Sequence, residues 1–70
     1  MIEVFKTNVE TARQATALVT ILCKHLPSAE INFDLEDCDS ILRVKAEKIS
    51  RIKIVLLLAS MGFDCQLLDY

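Results

Sequence analysis

The stretch Ala29-Glu-Ile-Asn-Phe-Asp-Leu35, followed by Glu36-Asp-Cys-Asp-Ser40 and then Ile41-Leu-Arg-Val-Lys-Ala46, decides the fold. Its first part alternates, with Ile31, Phe33 and Leu35 on one face and Glu30, Asn32 and Asp34 on the other. A two-residue period is the signature of a half-buried strand. The last part repeats it, with Leu42 and Val44 inward and Arg43 and Lys45 outward. The polar residues between are turn formers, so the spacing predicts a β-hairpin across Ala29–Ala46.

Working outward, the chain on either side of the hairpin changes period. Upstream, Val9, Ala12, Ala15, Val19, Leu22 and Leu26 recur at steps of three or four, flanked by Thr16, Leu18 and Cys23. That spacing is one apolar stripe of a helix of about 17 residues. Thr7 and Glu10 read as its capping box, and Pro27 with Ser28 as its stop. Ahead of it Ile2-Glu-Val-Phe-Lys6 alternates as a short strand, with Ile2 and Val4 on one side. Downstream, from Glu47, the helical period returns through Ile49, Ile52, Leu56 and Ala59, and Gly62 supplies a left-handed stop. Phe63-Asp-Cys-Gln-Leu67 alternates once more. The expected order is β-α-β-β-α-β in a single domain over residues 1–70. That order matches the ferredoxin-like α+β sandwich, a four-stranded antiparallel sheet with two helices on one face.

The composition narrows the class of function. Seventy residues, eight Lys+Arg against ten Asp+Glu, and a net charge of −2 offer phosphate backbones no global attraction. Four aromatic residues and no Trp give no base-stacking platform, so nucleic acid is not an expected partner. Ile54–Ala59, the longest apolar run, is far short of the roughly 18 residues that span a bilayer. No basic and apolar leader follows Met1, and the expectation is a soluble cytoplasmic protein. Cys23, Cys38 and Cys65 form neither a C-x-x-C nor a zinc-finger spacing, which fits reduced thiols.

Leu26-Pro27-Ser28-Ala29 with Ile31-Asn-Phe33-Asp34-Leu35-Glu36 resembles the "LPGV…V-x-V-D-L-E" stretch of heavy-metal-associated domains, the copper-chaperone-like family, and Gly62-Phe63 resembles its Gly-Tyr/Phe. The resemblance covers the whole chain and implies the same fold. That family binds Cu(I) through M-x-C-x-x-C in the loop before the first helix, where two thiolates suit a soft cation. Here the loop reads Lys6-Thr-Asn-Val-Glu-Thr-Ala12, and no cysteine occurs between Met1 and Leu22. No metal-site residue carries over, and no cofactor is expected.

The remaining candidates are single residues. Cys38 would share an end of the sheet with the family's metal position, and a second chain could complete a soft-metal site around it. The bland reading is an inert thiol in a polar turn whose carboxylates, Glu36, Asp37 and Asp39, disfavour the thiolate. Cys23 and Cys65 read as small buried hydrophobes. His25, beside Lys24, suits a helix C-terminus. Ser40, Ser50 and Ser60 have no evident base, and Asp37 with Asp39 has nothing to tune an acid–base pair, so no enzyme is expected.

Two surface features suggest binding instead. Glu36, Asp37 and Asp39 should mark one pole, with Lys24, His25, Lys45, Lys48 and Arg51 at the other. The second helix is apolar nearly all round, and with a core stripe through Ile52 and Leu56 it would leave Ile54, Leu57 and Leu58 to find another cover. A protein partner or homodimer through that helix is the leading expectation. A metal-transfer role using Cys38 is the rival, and a ligand-binding regulatory module trails for want of a Gly-rich turn or convergent polar set.

Overall fold

A computed structural model of the chain describes residues 1–36 and 38–68; Asp37, named above in the acidic turn, lies outside them. The elements are β1 (Ile2–Thr7), α1 (Ala12–His25), β2 (Glu30–Asp34), β3 (Ile41–Lys45), α2 (Arg51–Ser60) and β4 (Cys65–Leu67). All strand pairs are antiparallel, and the sheet order is β2-β3-β1-β4. This is the small α+β fold expected, with the strand order of a ferredoxin-like sandwich.

The core lies between one sheet face and the two helices. Phe5, Leu42, Val44 and Cys65 from the strands meet Ala15, Leu18 and Leu22 of α1 and Ile54 and Leu58 of α2, with Val9 closing one end. Ile2 and Val4 do share a face, but it is the face turned away from the helices. Phe5, the largest apolar side chain of β1, takes the core and leaves Ile2 61% exposed. Val4 and Ile41 are also buried, although they sit outside that cluster on the open face. There Val4 stands opposite Arg43 and Ile41 opposite Lys6, residues whose long aliphatic stems can cover apolar neighbours.

Both helices start later than the periodicity suggests, for one reason. Thr11, not Thr7, caps α1: its hydroxyl accepts from the Gln14 N–H at 3.1 Å, and the Gln14 side chain accepts from the Thr11 N–H at 3.2 Å. Ser50 caps α2 by accepting from the Lys53 N–H at 3.3 Å. A short hydroxyl side chain satisfies an orphan N–H wherever the chain turns into helix. Thr7 remains in β1.

Helix phase departs from the expected stripes as well. In α1 Leu18 is fully buried while Val19 is half-buried and Ala12 exposed. In α2 the inversion is complete: Ile54 and Leu58 are 0% exposed, against 73% for Ile52 and 62% for Leu56. The wedge of Ile54, Val55, Leu57 and Leu58 carries four large side chains, whereas Ile52, Leu56 and Ala59 carry two. Burying the larger wedge removes more apolar surface from water, so it wins. Gly62 ends the helix at φ +88°, as expected.

Candidate functional site

Three loops converge at one end of the sheet: β1–α1, the β2–β3 hairpin and α2–β4. This is the end where the resemblance would place a metal, and side-chain hydrogen bonds lace it shut. The Thr7 hydroxyl donates to the Ser40 carbonyl at 2.6 Å, and the Ser40 hydroxyl donates to the Val9 carbonyl at 2.6 Å. Ser40 holds this position at φ +46°, in the left-handed region. Asn8 accepts from the Asp64 N–H at 2.8 Å and donates from its amide to the Asp64 carboxylate at 3.4 Å. A shallow cavity of about 440 Å³ beside these bonds is lined by Asn8, Glu10, Leu35 and Cys38 among others.

The polar groups here are occupied with structure. Both hydroxyls are spent on carbonyls, and Asp39 lies 3.5 Å from the Lys6 ammonium. Cys38 is exposed, as a turn residue should be. Among the described residues, no group of three or more His, Cys, Asp or Glu could hold a metal ion. Cys65 is buried, and that burial pushes its thiol up to about 11. Cys23 departs from expectation and is exposed, because one step past Leu22 turns it off the buried side of α1. His25 is exposed in the last turn of α1 with Lys24. Ser60 donates to the Leu57 carbonyl at 2.7 Å, and Ser50 is a helix cap.

The charged poles are mixed rather than pure. Arg51 forms a 2.9 Å ion pair with Glu3, and Glu47 follows Lys45 and Ala46 around a shared surface hollow. At the other end Lys6 sits against the acidic hairpin.

The outer side of α2 is the clearest unpartnered surface. Ile52 and Leu56, one turn apart, are its most exposed apolar residues, and Met61 just beyond is 45% exposed. Of the residues expected there, Ile54 and Leu58 are in the core and Leu57 is half-buried. The expected surplus exists, but on the opposite side. Periodicity alone could not choose between the two sides; comparing the summed size of each stripe would have.

A second surface leaves no periodic signal in the sequence, because it forms between two separate elements. Between α1 and the outer strand β2 lies an open groove of about 360 Å³, floored by Ala12, Thr16 and Val19 and walled by Ile31, Phe33 and Leu35. No helix among the described residues is long and apolar enough to cross a membrane. No family model matches the chain, and no curated protein matches it.

Proposed function

We propose that this chain is a small, non-enzymatic binding module that acts through protein contacts, and that α2 pairs two copies through its outer stripe. The observation carrying this reading is the exposure of Ile52 and Leu56, at 73% and 62%, on a helix whose inner side is fully buried. A helix apolar on both sides is ordinarily covered on both. Two-fold pairing, the commonest geometry of homo-oligomers, would lay each stripe on its counterpart. The sheet order β2-β3-β1-β4 is compatible with the fold that a resemblance to heavy-metal-associated domains would imply, and the missing cysteine pair argues against inherited metal transfer. Three cysteines without disulfide spacing support a cytoplasmic setting.

Light scattering over a wide concentration range tests the reading, with wild type beside the double variant Ile52→Lys, Leu56→Lys. A dimeric wild type and a monomeric variant are expected. A wild type that stays monomeric at millimolar concentration would remove self-association. Tight Cu(I) uptake lost in Cys38→Ser would instead favour a metal site shared between chains.

A further inference from the structure

β2 is the outer strand of the sheet, and it is poorly defended. Natural edge strands are blunted by shortness, bulges, Pro or charged side chains, Lys above all, and of these β2 has only the two carboxylates of Glu30 and Asp34. The opposite edge, β4, has only three residues. β2 runs five residues in unbroken register with β3 and contains neither Pro nor Lys.

Ladder alternation tells which backbone groups it offers. Met1 and Ala46 exchange both backbone hydrogen bonds across β1 and β3. In an antiparallel ladder such pairs recur every second residue. Val44 and Leu42 therefore bond toward β1, and Lys45, Arg43 and Ile41 bond toward β2, where their partners are Glu30, Asn32 and Asp34. The N–H and C=O groups of Ile31 and Phe33 point away from the sheet. They offer two donors and two acceptors to an added strand.

The side chains of that added strand would meet two different surfaces. Residues beside Ile31 and Phe33 would drop over the groove, where small side chains at Ala12 and Thr16 leave room. Alternate residues would lie on the open face beside Glu30, Asn32 and Asp34. From Leu26 to Ser40 the chain has five acidic residues and no basic one, while the rest has five acidic and eight basic. On β2 itself the charged residues are Glu30 and Asp34, both acidic, and they stand one strand nearer to an added chain than Lys45 and Arg43 of β3; Asp34 already lies 3.8 Å from the Arg43 guanidinium.

We propose that the β2 edge, with the α1–β2 groove behind it, is a docking site for an extended segment of another protein that alternates apolar and basic residues. Strand addition of this kind takes affinity from main-chain bonds and specificity from alternate side chains. The same charge argues against a second copy at this edge. Pairing Ile31 with Phe33 of a second copy would set Glu30 against that copy's Asp34 twice, and like charges directly opposite destabilise a ladder. The site is separate from the outer stripe of α2 and does not depend on it.

The test is an NMR titration of the labelled protein with a blocked nine-residue peptide alternating valine and lysine, beside its counterpart with glutamate for lysine. The lysine peptide should shift the amides of Ile31 and Phe33 and slow their hydrogen exchange. It should bind at least ~10-fold more tightly than the glutamate peptide, about 1.4 kcal/mol, and lose affinity as salt is raised. Glu30→Lys and Thr16→Arg, both at exposed positions, should each weaken it several-fold with the protein's spectrum otherwise intact. Equal binding of the two peptides, shifts centred on α2 or the open sheet face, or no binding at millimolar peptide would overturn the proposal. Mass measured on the same samples without peptide reports self-association separately, so either reading can fail alone.

Discussion

The Thr7 hydroxyl donates to the Ser40 carbonyl at 2.6 Å while accepting from the Val9 N–H at 3.3 Å, so one buried side chain ties β1 to the hairpin and to the loop leading into α1. Removing a buried hydroxyl strands its partners, at about 1–3 kcal/mol for an unsatisfied group. Thr7→Val keeps the shape and loses both bonds. Its unfolding free energy from urea titration should fall by that amount, with a correspondingly lower midpoint, and Thr7→Ser should recover most of it. A Thr7→Val variant as stable as wild type would show that the lacing contributes nothing.

Thr11 and Gln14 make a second, independent claim about the same region. If they form the cap of α1, Thr11→Ala costs about 1 kcal/mol, the usual worth of an N-cap. Glu10→Ala should leave stability nearly unchanged, since its side chain is exposed and outside the cap. Thermal unfolding followed by circular dichroism decides between them, and a larger loss in Glu10→Ala would return the cap to Thr7.

On α2, the two sides should respond in opposite ways. Ile54→Ala or Leu58→Ala should cost about 2–5 kcal/mol, enough to unfold much of so small a domain. Ile52→Ala and Leu56→Ala should stay within about 0.5 kcal/mol for the monomer. Their effect should appear only as weaker self-association in sedimentation or light scattering.

The three thiols should react in two classes. Cys23 and Cys38 are exposed, and Cys65 is buried. Timed alkylation read by mass spectrometry should reach two labels quickly, and the third should follow only at the rate of unfolding. Rapid uptake of three labels would contradict the packing of β4.

Cys65 also sets a pH limit. Its folded thiol is pushed up to about 11 from an ordinary 9.0 by burial. Below pH 9 both states hold the proton and stability is unaffected. Between pH 9 and 11 the unfolded chain loses the proton first, so it holds fewer protons than the folded one and stability falls with rising pH. Two pH units bound the loss at roughly 2–3 kcal/mol. Cys65→Ala will be less stable at neutral pH, but its stability should fall less steeply over that window. Parallel slopes for the two proteins would place the alkaline loss on other groups.

Much of this molecule was legible as pattern. The alternation of Glu30–Asp34 and Ile41–Lys45 gave the hairpin and its inward residues, and Gly62 gave the end of α2, because period and backbone freedom are local properties. Capping was harder, since Thr7, Thr11 and Ser50 are all plausible hydroxyls and the turn into helix selects among them. The phase of α2 is not legible in its sequence, because its ten residues hold only Arg51, Lys53 and Ser60 as polar markers. With apolar residues on every side, periodicity names no inner face.

What the sequence determined by itself is therefore the order of elements, the strand faces of the hairpin, the absence of a cysteine pair ahead of α1, and the concentration of acid between Leu26 and Ser40. Tertiary structure alone decided that Ile54 and Leu58 go inward and Ile52 and Leu56 outward, that Thr7 and Ser40 close the loop end, and that β2 stands at an edge with a groove behind it. The difference is physical. Local periodicity and charge are carried by neighbours in the chain, whereas exposure depends on which surfaces of distant segments compete for the same side of the sheet. That competition is settled by the total apolar area buried, a sum no single segment contains.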